Sequence, residues 1–102
     1  MTAHLFILYP PPKNADAFDR DYHDKHLPFA GPRLVGASGV ATRKIVGPAG
    51  KPSPYYWMSD VTFPDVETMK ACAQSPGGQE ALAHAASISS GGPPLVLALA
   101  DA

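Results

Sequence analysis

Four stretches of the chain have the hydrophobic patterns that predict β-strands. Ala3–Tyr9 is apolar or aromatic at nearly every position before a run of three prolines, and Leu95–Ala100 is wholly apolar. β-branched residues predict a second strand over Gly39–Val46, and alternating polar and apolar residues predict a third over Tyr55–Phe63. Strands that are apolar at nearly every position need cover on both faces of their sheet.

Two longer segments between these strands predict helices. The first begins at a cap near Asp16 or Asp19 and fades near Leu34, after a Gly-Pro pair. The second spans 66–74, where apolar residues recur on one face. A Pro-Gly-Gly run then breaks the helix, and residues 79–87 predict a shorter helical piece.

The resulting order, β-α-β-β-α-β, defines an α+β fold of the ferredoxin-like type. We expect one antiparallel four-stranded sheet with its helices on one face. The outer strands, however, are apolar on both faces. The simplest cover for the second face is another copy of the chain. The pattern therefore predicts a homodimer, with two sheets packed face to face.

Composition and charge narrow the class of protein. The chain has 102 residues, which predicts a single domain over 1–102. A net charge of -1 at pH 7 disfavours nucleic acids and anionic membranes as partners. The single cysteine, Cys72, fits a reducing compartment, and the N-terminus lacks the basic region of a signal peptide. We expect a cytoplasmic protein.

The most informative stretch is YHDKHLPFA, at Tyr22–Ala30. On a helix, Tyr22 and His26 are four residues apart and share a face. Pro28 lacks an N–H, so the carbonyl of Asp24 loses its usual helical partner and the helix bends beside His26. His26 is a candidate general acid or base, with Tyr22 as a donor to a substrate oxygen. The alternative is a structural pair that orders the core.

Two aromatic residues are candidate substrate contacts. Phe29 extends the helical stripe of Tyr22 and His26 by one turn. In the third strand, Trp57 belongs to the more apolar set of alternating residues, which we expect to face the helices and to form a cleft wall. An aromatic residue at strand spacing is also common in a plain core, so both interpretations stay open for Trp57.

The first strand has one polar residue, His4. If its side chain points toward the helices, it meets His26 across the cleft; if it points away, it lies at the dimer face. Asp60 falls on the side of the third strand that faces away from the helices, with Arg43 or Lys44 of the neighbouring strand as partner. We interpret that pairing as an ion pair at the interface.

The remaining titratable residues predict no further chemistry. His23 and His26 have a spacing compatible with zinc, but Asp19 is the single further ligand nearby, and we predict no metal site. His84 is expected to be exposed on the short third helix. Cys72 has no adjacent base in the sequence and is expected to be a small buried residue. No glycine loop for phosphate and no nucleotide, flavin or haem motif is present, so no cofactor is predicted.

The chain resembles the EthD family of the dimeric α/β-barrel superfamily. The similar residues are Phe18-Asp19, Tyr22 and His26-Leu27-Pro28, followed by YYWMSDVTFPDVETMKA at 55–71. The resemblance implies a homodimer of ferredoxin-like subunits with a cleft between sheet and helices. Relatives in the superfamily include polyketide cyclases, lactone isomerases and cofactor-free monooxygenases.

Certain plant polyketide cyclases of that superfamily use a tyrosine and a histidine in and after the second helix. Those positions fall near Cys72 and Gly78 here, so the tyrosine and the histidine are not matched. The resemblance to these cyclases implies only a first-strand histidine, matching His4, as a substrate contact.

We therefore predict a small cofactor-independent lyase, isomerase or cyclase. Its substrate would be an apolar, oxygenated small molecule from a degradation or polyketide-like pathway. The alternative is a non-catalytic homodimer that binds a small molecule or has an accessory role.

Overall fold

The computed structural model describes all 102 residues and contains one four-stranded sheet. Its strands are β1 (Ala3–Tyr9), β2 (Gly39–Lys44), β3 (Trp57–Phe63) and β4 (Leu95–Ala100). Their order is β2-β3-β1-β4, and each neighbouring pair is antiparallel. The predicted ferredoxin-like fold is confirmed. The second and third strands are each two residues shorter than predicted, at the ends that meet the long loop between them.

The helices are α1 (Ala15–Asp21), α2 (Leu27–Ala30), α3 (Val66–Gln74) and α4 (Pro76–Ser87). The predicted cap of the first helix was wrong. Asn14, and neither of the two aspartates, caps α1 by accepting a hydrogen bond from the N–H of Ala17 at 2.9 Å.

The predicted break between two helices is present, but it falls at Ser75, and the Pro-Gly-Gly run forms the first turn of α4. Ser75 caps that turn, its hydroxyl oxygen accepting from the N–H of Gly78 at 3.0 Å, and Pro76 occupies the first turn, where its missing N–H costs nothing. The same hydroxyl donates to the carbonyl of Cys72 at 2.6 Å. A Cβ on Gly78 would lie 1.9 Å from that carbonyl oxygen, so this corner accepts only glycine.

Between α1 and α2 the chain forms a π-helical turn, Tyr22–His26, and a 3₁₀ turn, Gly31–Arg33, follows α2. The N–H of Leu27 donates to the carbonyl of Tyr22, five residues earlier. Pro28 cannot donate to the carbonyl of Asp24, and the helix widens around this gap. The predicted irregularity beside His26 thus takes the form of a π-bulge, a feature often found at functional sites.

The core lies between the sheet and the helices. Alternate residues of β1 point toward the helices, and β3 contributes Val61 and Phe63 from the same face. From the helical side, Phe18, Tyr22, Met69, Cys72 and Ala85 close this core. None of the helices is both long enough and apolar enough to cross a bilayer.

The other face of the sheet has no helix against it. His4, Phe6 and Leu8 point to this open face. In the register of β1 and β4, Leu95, Leu97 and Leu99 lie beside Leu8, Phe6 and His4, each of the three leucines being about 40% exposed (39–41%). The open face is the apolar surface that the sequence pattern predicted for a second subunit.

Candidate functional site

A cavity of about 370 Å³ lies between the helix-facing side of β2 and β3 and the helices α2 and α4. Of its 14 lining residues, 10 are hydrophobic, and none is Lys, Arg, Asp or Glu. Its polar side chains are Tyr22, His26, Thr42 and Ser59. Small side chains on α4, Ala81 and Ala85, keep the space open. The cavity is therefore an apolar pocket with a few uncharged polar groups, the usual character of a small-molecule site.

Tyr22 and Ser59 form a hydroxyl pair at one wall of the cavity. Their oxygens are 2.5 Å apart, and both side chains are buried. Burial raises the pKa of Tyr22, although the bond to Ser59 lowers it in part. Tyr22 therefore keeps its proton at neutral pH. Each hydroxyl has one proton, so one of the pair donates to the other and the second proton is available to a ligand oxygen.

Two further donors are buried beside this pair without a partner. Neither the hydroxyl of Tyr9 nor the indole N–H of Trp57 has a hydrogen bond. The rings of Tyr9 and Trp57 lie 5.9 Å and 5.5 Å from the ring of Tyr22. Burial raises the pKa of Tyr9, so it also stays protonated. Neither residue lines the cavity, so the hydroxyl donors available to a ligand there are those of Tyr22 and Ser59.

His26 is held by a second histidine. Its Nδ1 lies 2.9 Å from Nδ1 of His84 on α4, and the two rings are nearly coplanar, at 12°. Nε2 of His26 has no partner in the protein and is not sealed from solvent. Because His26 lines the cavity, Nε2 is the nitrogen that a ligand can reach. The ring of Tyr22 lies 5.5 Å away from the same imidazole.

The environment of His26 favours its neutral form. Burial, and then the neighbouring His84, lower the pKa of His26 from 6.5 to about 4. At neutral pH the imidazole is therefore uncharged, and one of its nitrogens has a free lone pair. A neutral imidazole in an apolar cavity is a suitable proton acceptor.

We expect the depressed pKa of His26 to make the fold acid-sensitive. Between pH 6.5 and about 4 the unfolded chain binds a proton at His26 that the folded chain does not. The free energy of unfolding should therefore fall as pH drops through that window, by on the order of 3 kcal/mol in total. Thermal unfolding from pH 7 to pH 4 measures this loss.

His26→Asn is the matched variant, because it should remove this part of the loss. His4 acts in the opposite direction. Its bond to Asp60 raises its pKa, so its contribution is present in acid and is lost as pH rises. Parallel pH curves for the parent and His26→Asn would contradict the assignment.

The structure brings together only part of the predicted site. Tyr22 and His26 both line the cavity. Phe29 lies behind it, its ring stacked 4.6 Å from that of His84. Trp57 faces the helices as expected, but it packs on Phe18 and Tyr22 outside the cavity. Phe29 and Trp57 therefore support the site residues and do not line the space for a ligand.

His4 lies on the open face of the sheet, so it does not meet His26 and does not contact this cavity. Residues on β1 alternate, and the helix-facing positions are the odd-numbered ones. Nδ1 of His4 is 2.8 Å from Asp60, and Nε2 is 3.3 Å from Asp101. Arg43 also contacts Asp60, at 3.2 Å, as predicted for the interface face. The expectation that His4 contacts a substrate in the cleft was therefore wrong.

Two site residues were missed from the sequence. The expectation that His84 is exposed was wrong, because it is half-buried between His26 and Phe29. Ser59 is two residues from Trp57 and therefore on the strand face that was predicted to meet the helices, but no role was predicted for it. No group of three or more His, Cys, Asp or Glu side chains converges as metal ligands. Asp19 instead accepts from the hydroxyl of Tyr56 at 3.1 Å.

Fold and site together define a class: a ferredoxin-like α+β protein with an apolar cavity between sheet and helices and a buried, neutral histidine. The EthD domain model matches residues 10–87, and this chain belongs to the EthD family. No functionally curated protein matches the chain significantly.

Solved structures share the fold. An EthD family protein from Bacillus halodurans is 23% identical, with a TM-score of 0.86 and full coverage of both chains. A dimeric ferredoxin-like protein of unknown function from Jannaschia is 24% identical, covering 98% of each chain at a TM-score of 0.66. A hydroxynitrile lyase from Passiflora edulis is 13% identical, with a TM-score of 0.67, and the match covers 96% of this chain and 90% of that one. At these identities the likeness concerns the fold.

Proposed function

We propose that this protein catalyses a cofactor-independent proton transfer, as a lyase, isomerase or cyclase, on an uncharged, oxygenated, largely apolar small molecule. The observation that supports this most directly is the juxtaposition of a neutral imidazole and a hydroxyl pair on one cavity. Nε2 of His26 has no partner in the protein and can accept a proton when the hydrogen of the ring is on Nδ1, and Tyr22 with Ser59 supplies a donor.

The chemistry follows from these two groups. His26 takes a proton from a carbon next to a carbonyl group, and the electron pair of the broken C–H bond moves to the carbonyl oxygen. Tyr22 or Ser59 donates a hydrogen bond to that oxygen as it becomes negative. His26 then returns the proton to another atom of the substrate. Isomerisation, ring closure and elimination all begin with this first step.

The lining of the cavity defines the substrate class. No charged side chain faces the space, so a carboxylate or phosphate would lose its hydration without gaining a partner. The apolar walls of Ile7, Leu27, Leu82 and Val61 favour an aromatic or aliphatic ring system. The donors at Tyr22 and Ser59 favour at least one carbonyl or hydroxyl oxygen.

The working unit is proposed to be a homodimer of this domain. Several structural neighbours are described as dimeric, and the open face is apolar. The matched EthD region ends at residue 87, but β1 and β4 complete the sheet at either end. We accordingly take residues 1–102 as one domain.

A second candidate function is binding without chemistry. The observation that favours it is that both site groups already have partners, Ser59 for Tyr22 and His84 for His26. A protein that only binds would keep its donors satisfied in this way. The two candidates predict the same ligand class and differ in proton transfer alone.

A neutral bicyclic ketone, 2-tetralone, is a suitable probe for both. We expect the parent protein to exchange the protons beside the carbonyl for deuterium in heavy water, followed by NMR. Ala81→Phe should abolish exchange, because the ring fills the cavity from a buried position on α4. Ala83→Phe, two residues away and exposed, is the matched control and should exchange like the parent.

Binding of the ketone without exchange, seen as a shift in melting temperature, would favour the second candidate. Exchange that persists in Ala81→Phe at the parental rate would refute the cavity as the site of either function.

A further inference from the structure

The two histidines of the site share a single hydrogen bond whose direction has chemical consequences. Nδ1 of His26 and Nδ1 of His84 are 2.9 Å apart in nearly coplanar rings, which is the geometry of one N–H···N bond. Only one proton can lie between the two nitrogens. When both rings are neutral, the ring that donates from Nδ1 has a lone pair on Nε2. The ring that accepts at Nδ1 has its proton on Nε2.

The two directions give His26 opposite roles. When His26 donates, its Nε2 is unprotonated and faces the cavity as a base. When His84 donates, Nε2 of neutral His26 has the proton and can only donate to a ligand. His84 is half-buried and can exchange protons with solvent, whereas His26 is buried, at 6% exposure. If His84 is protonated, its imidazolium has no lone pair with which to accept a hydrogen bond from His26.

Packing holds His84 in this geometry from outside the cavity. Phe29 stacks on its ring, with centroids 4.6 Å apart. The guanidinium of Arg33 lies 3.7 Å above the ring of Phe29 and donates to the carbonyl of Phe29 at 2.7 Å. Glu80, one turn before His84 on α4, pairs with Arg33 at 3.5 Å. The charged or titratable groups around His84 are thus His26, Arg33 and Glu80.

We propose that His84 is a positioning residue that sets the tautomer of His26. Neutral His84 accepts from Nδ1 of His26 and leaves Nε2 free as a base. Protonated His84 reverses the bond and places the proton on Nε2 of His26. The catalytic consequence rests on the proposed function, but the tautomer itself is a property of the protein without a substrate.

Two-bond ¹H–¹⁵N correlation spectra of uniformly ¹⁵N-labelled protein report which ring nitrogen has the proton. At mildly alkaline pH we expect the Nε2 resonance of His26 at the position of an unprotonated nitrogen. In any state in which the spectra show His84 doubly protonated, the Nε2 resonance of His26 should lie at the position of a protonated nitrogen. Spectra of His26→Asn and His84→Leu assign the two rings.

Two variants separate tautomer control from mere packing. His84→Asn keeps an acceptor oxygen near Nδ1 but cannot be charged, so His26 should keep a free Nε2 at every pH at which His26 itself is neutral. His84→Leu keeps bulk and loses the acceptor, so the preference for a free Nε2 should be lost. Parental protein with Nε2 of His26 protonated at alkaline pH would overturn the proposal, as would an unchanged tautomer in His84→Leu.

The outcome is independent of the 2-tetralone experiment. Absence of exchange together with the expected tautomers would refute the proposed function and leave the role of His84 intact. Exchange in a protein whose His26 tautomer does not depend on His84 would support the proposed function and refute the role of His84.

Discussion

Replacing His26 with alanine is expected to reduce turnover by about 10²–10⁴-fold, the usual effect of losing a group that transfers a proton. The imidazole lines the cavity, its Nε2 is free, and its pKa is lowered by burial. No other residue lining the cavity is a base of comparable strength. Exchange of 2-tetralone, measured beside thermal unfolding, separates this loss from a loss of fold.

The matched control is His23→Ala, in the same π-helical turn. His23 is exposed and packs against the edge of Trp57 and Tyr22 without reaching the cavity. Its replacement should leave exchange at the parental rate. Tyr22→Phe removes the hydrogen bond to Ser59 and should lower the free energy of unfolding by about 1 kcal/mol. It should also lower the rate of 2-tetralone exchange. If His26→Ala and Tyr22→Phe both lose several degrees in melting temperature yet exchange as the parent does, YHDKHLPFA has a structural role and the enzymatic proposal falls.

Leu97→Lys is expected to weaken the proposed homodimer and to shift it toward the monomer. Leu97 lies at the centre of β4 on the open face, beside Phe6 in the register of the two strands. It is 39% exposed in the single subunit, and a second sheet would bury it. A charge placed there has no partner, and loss of a central contact costs about 2 kcal/mol or more, roughly a 30-fold weaker dimer. Sedimentation velocity at micromolar concentration measures the effect.

Val96→Lys is the matched control for this substitution. Val96 is the preceding residue and is equally exposed, at 41%, but it pairs with Ile7 and points to the side of the sheet where the helices lie. The Val96→Lys variant should remain dimeric. A parent protein that sediments as a monomer would refute the dimer itself, and dissociation by both variants alike would place the interface elsewhere.

Much of the fold could be predicted because it depends on short-range patterns. The apolar runs of β1 and β4 and the alternation in β3 identified three strands, and the order of elements then fixed the sheet. The boundary of α4 was missed because Pro76 and two glycines have the composition of a loop. Ser75, in front of them, provides the cap that converts the same residues into a first helical turn.

The site was predictable only where its members share a helix. Tyr22 and His26 are four residues apart, and their common face followed from that spacing. His26 and His84 are 58 residues apart, and their contact depends on how α4 packs against the π-helical turn. A signal for Ser59 did exist, since a polar residue on the buried face of β3 needs a partner. Its partner, however, lies on another element and could not be assigned from the strand alone.

The corner at Gly78 links the size of the cavity to a distant backbone contact. A Cβ there would lie 1.9 Å from the carbonyl oxygen of Cys72, so α3 and α4 approach each other closely at this corner. Ala81, His84 and Ala85 all lie on α4. A larger residue at Gly78 would displace α4. The cavity wall that α4 forms and His84 would move with it. The position of α4 against the cavity therefore depends in part on Gly78, a residue that does not line the cavity.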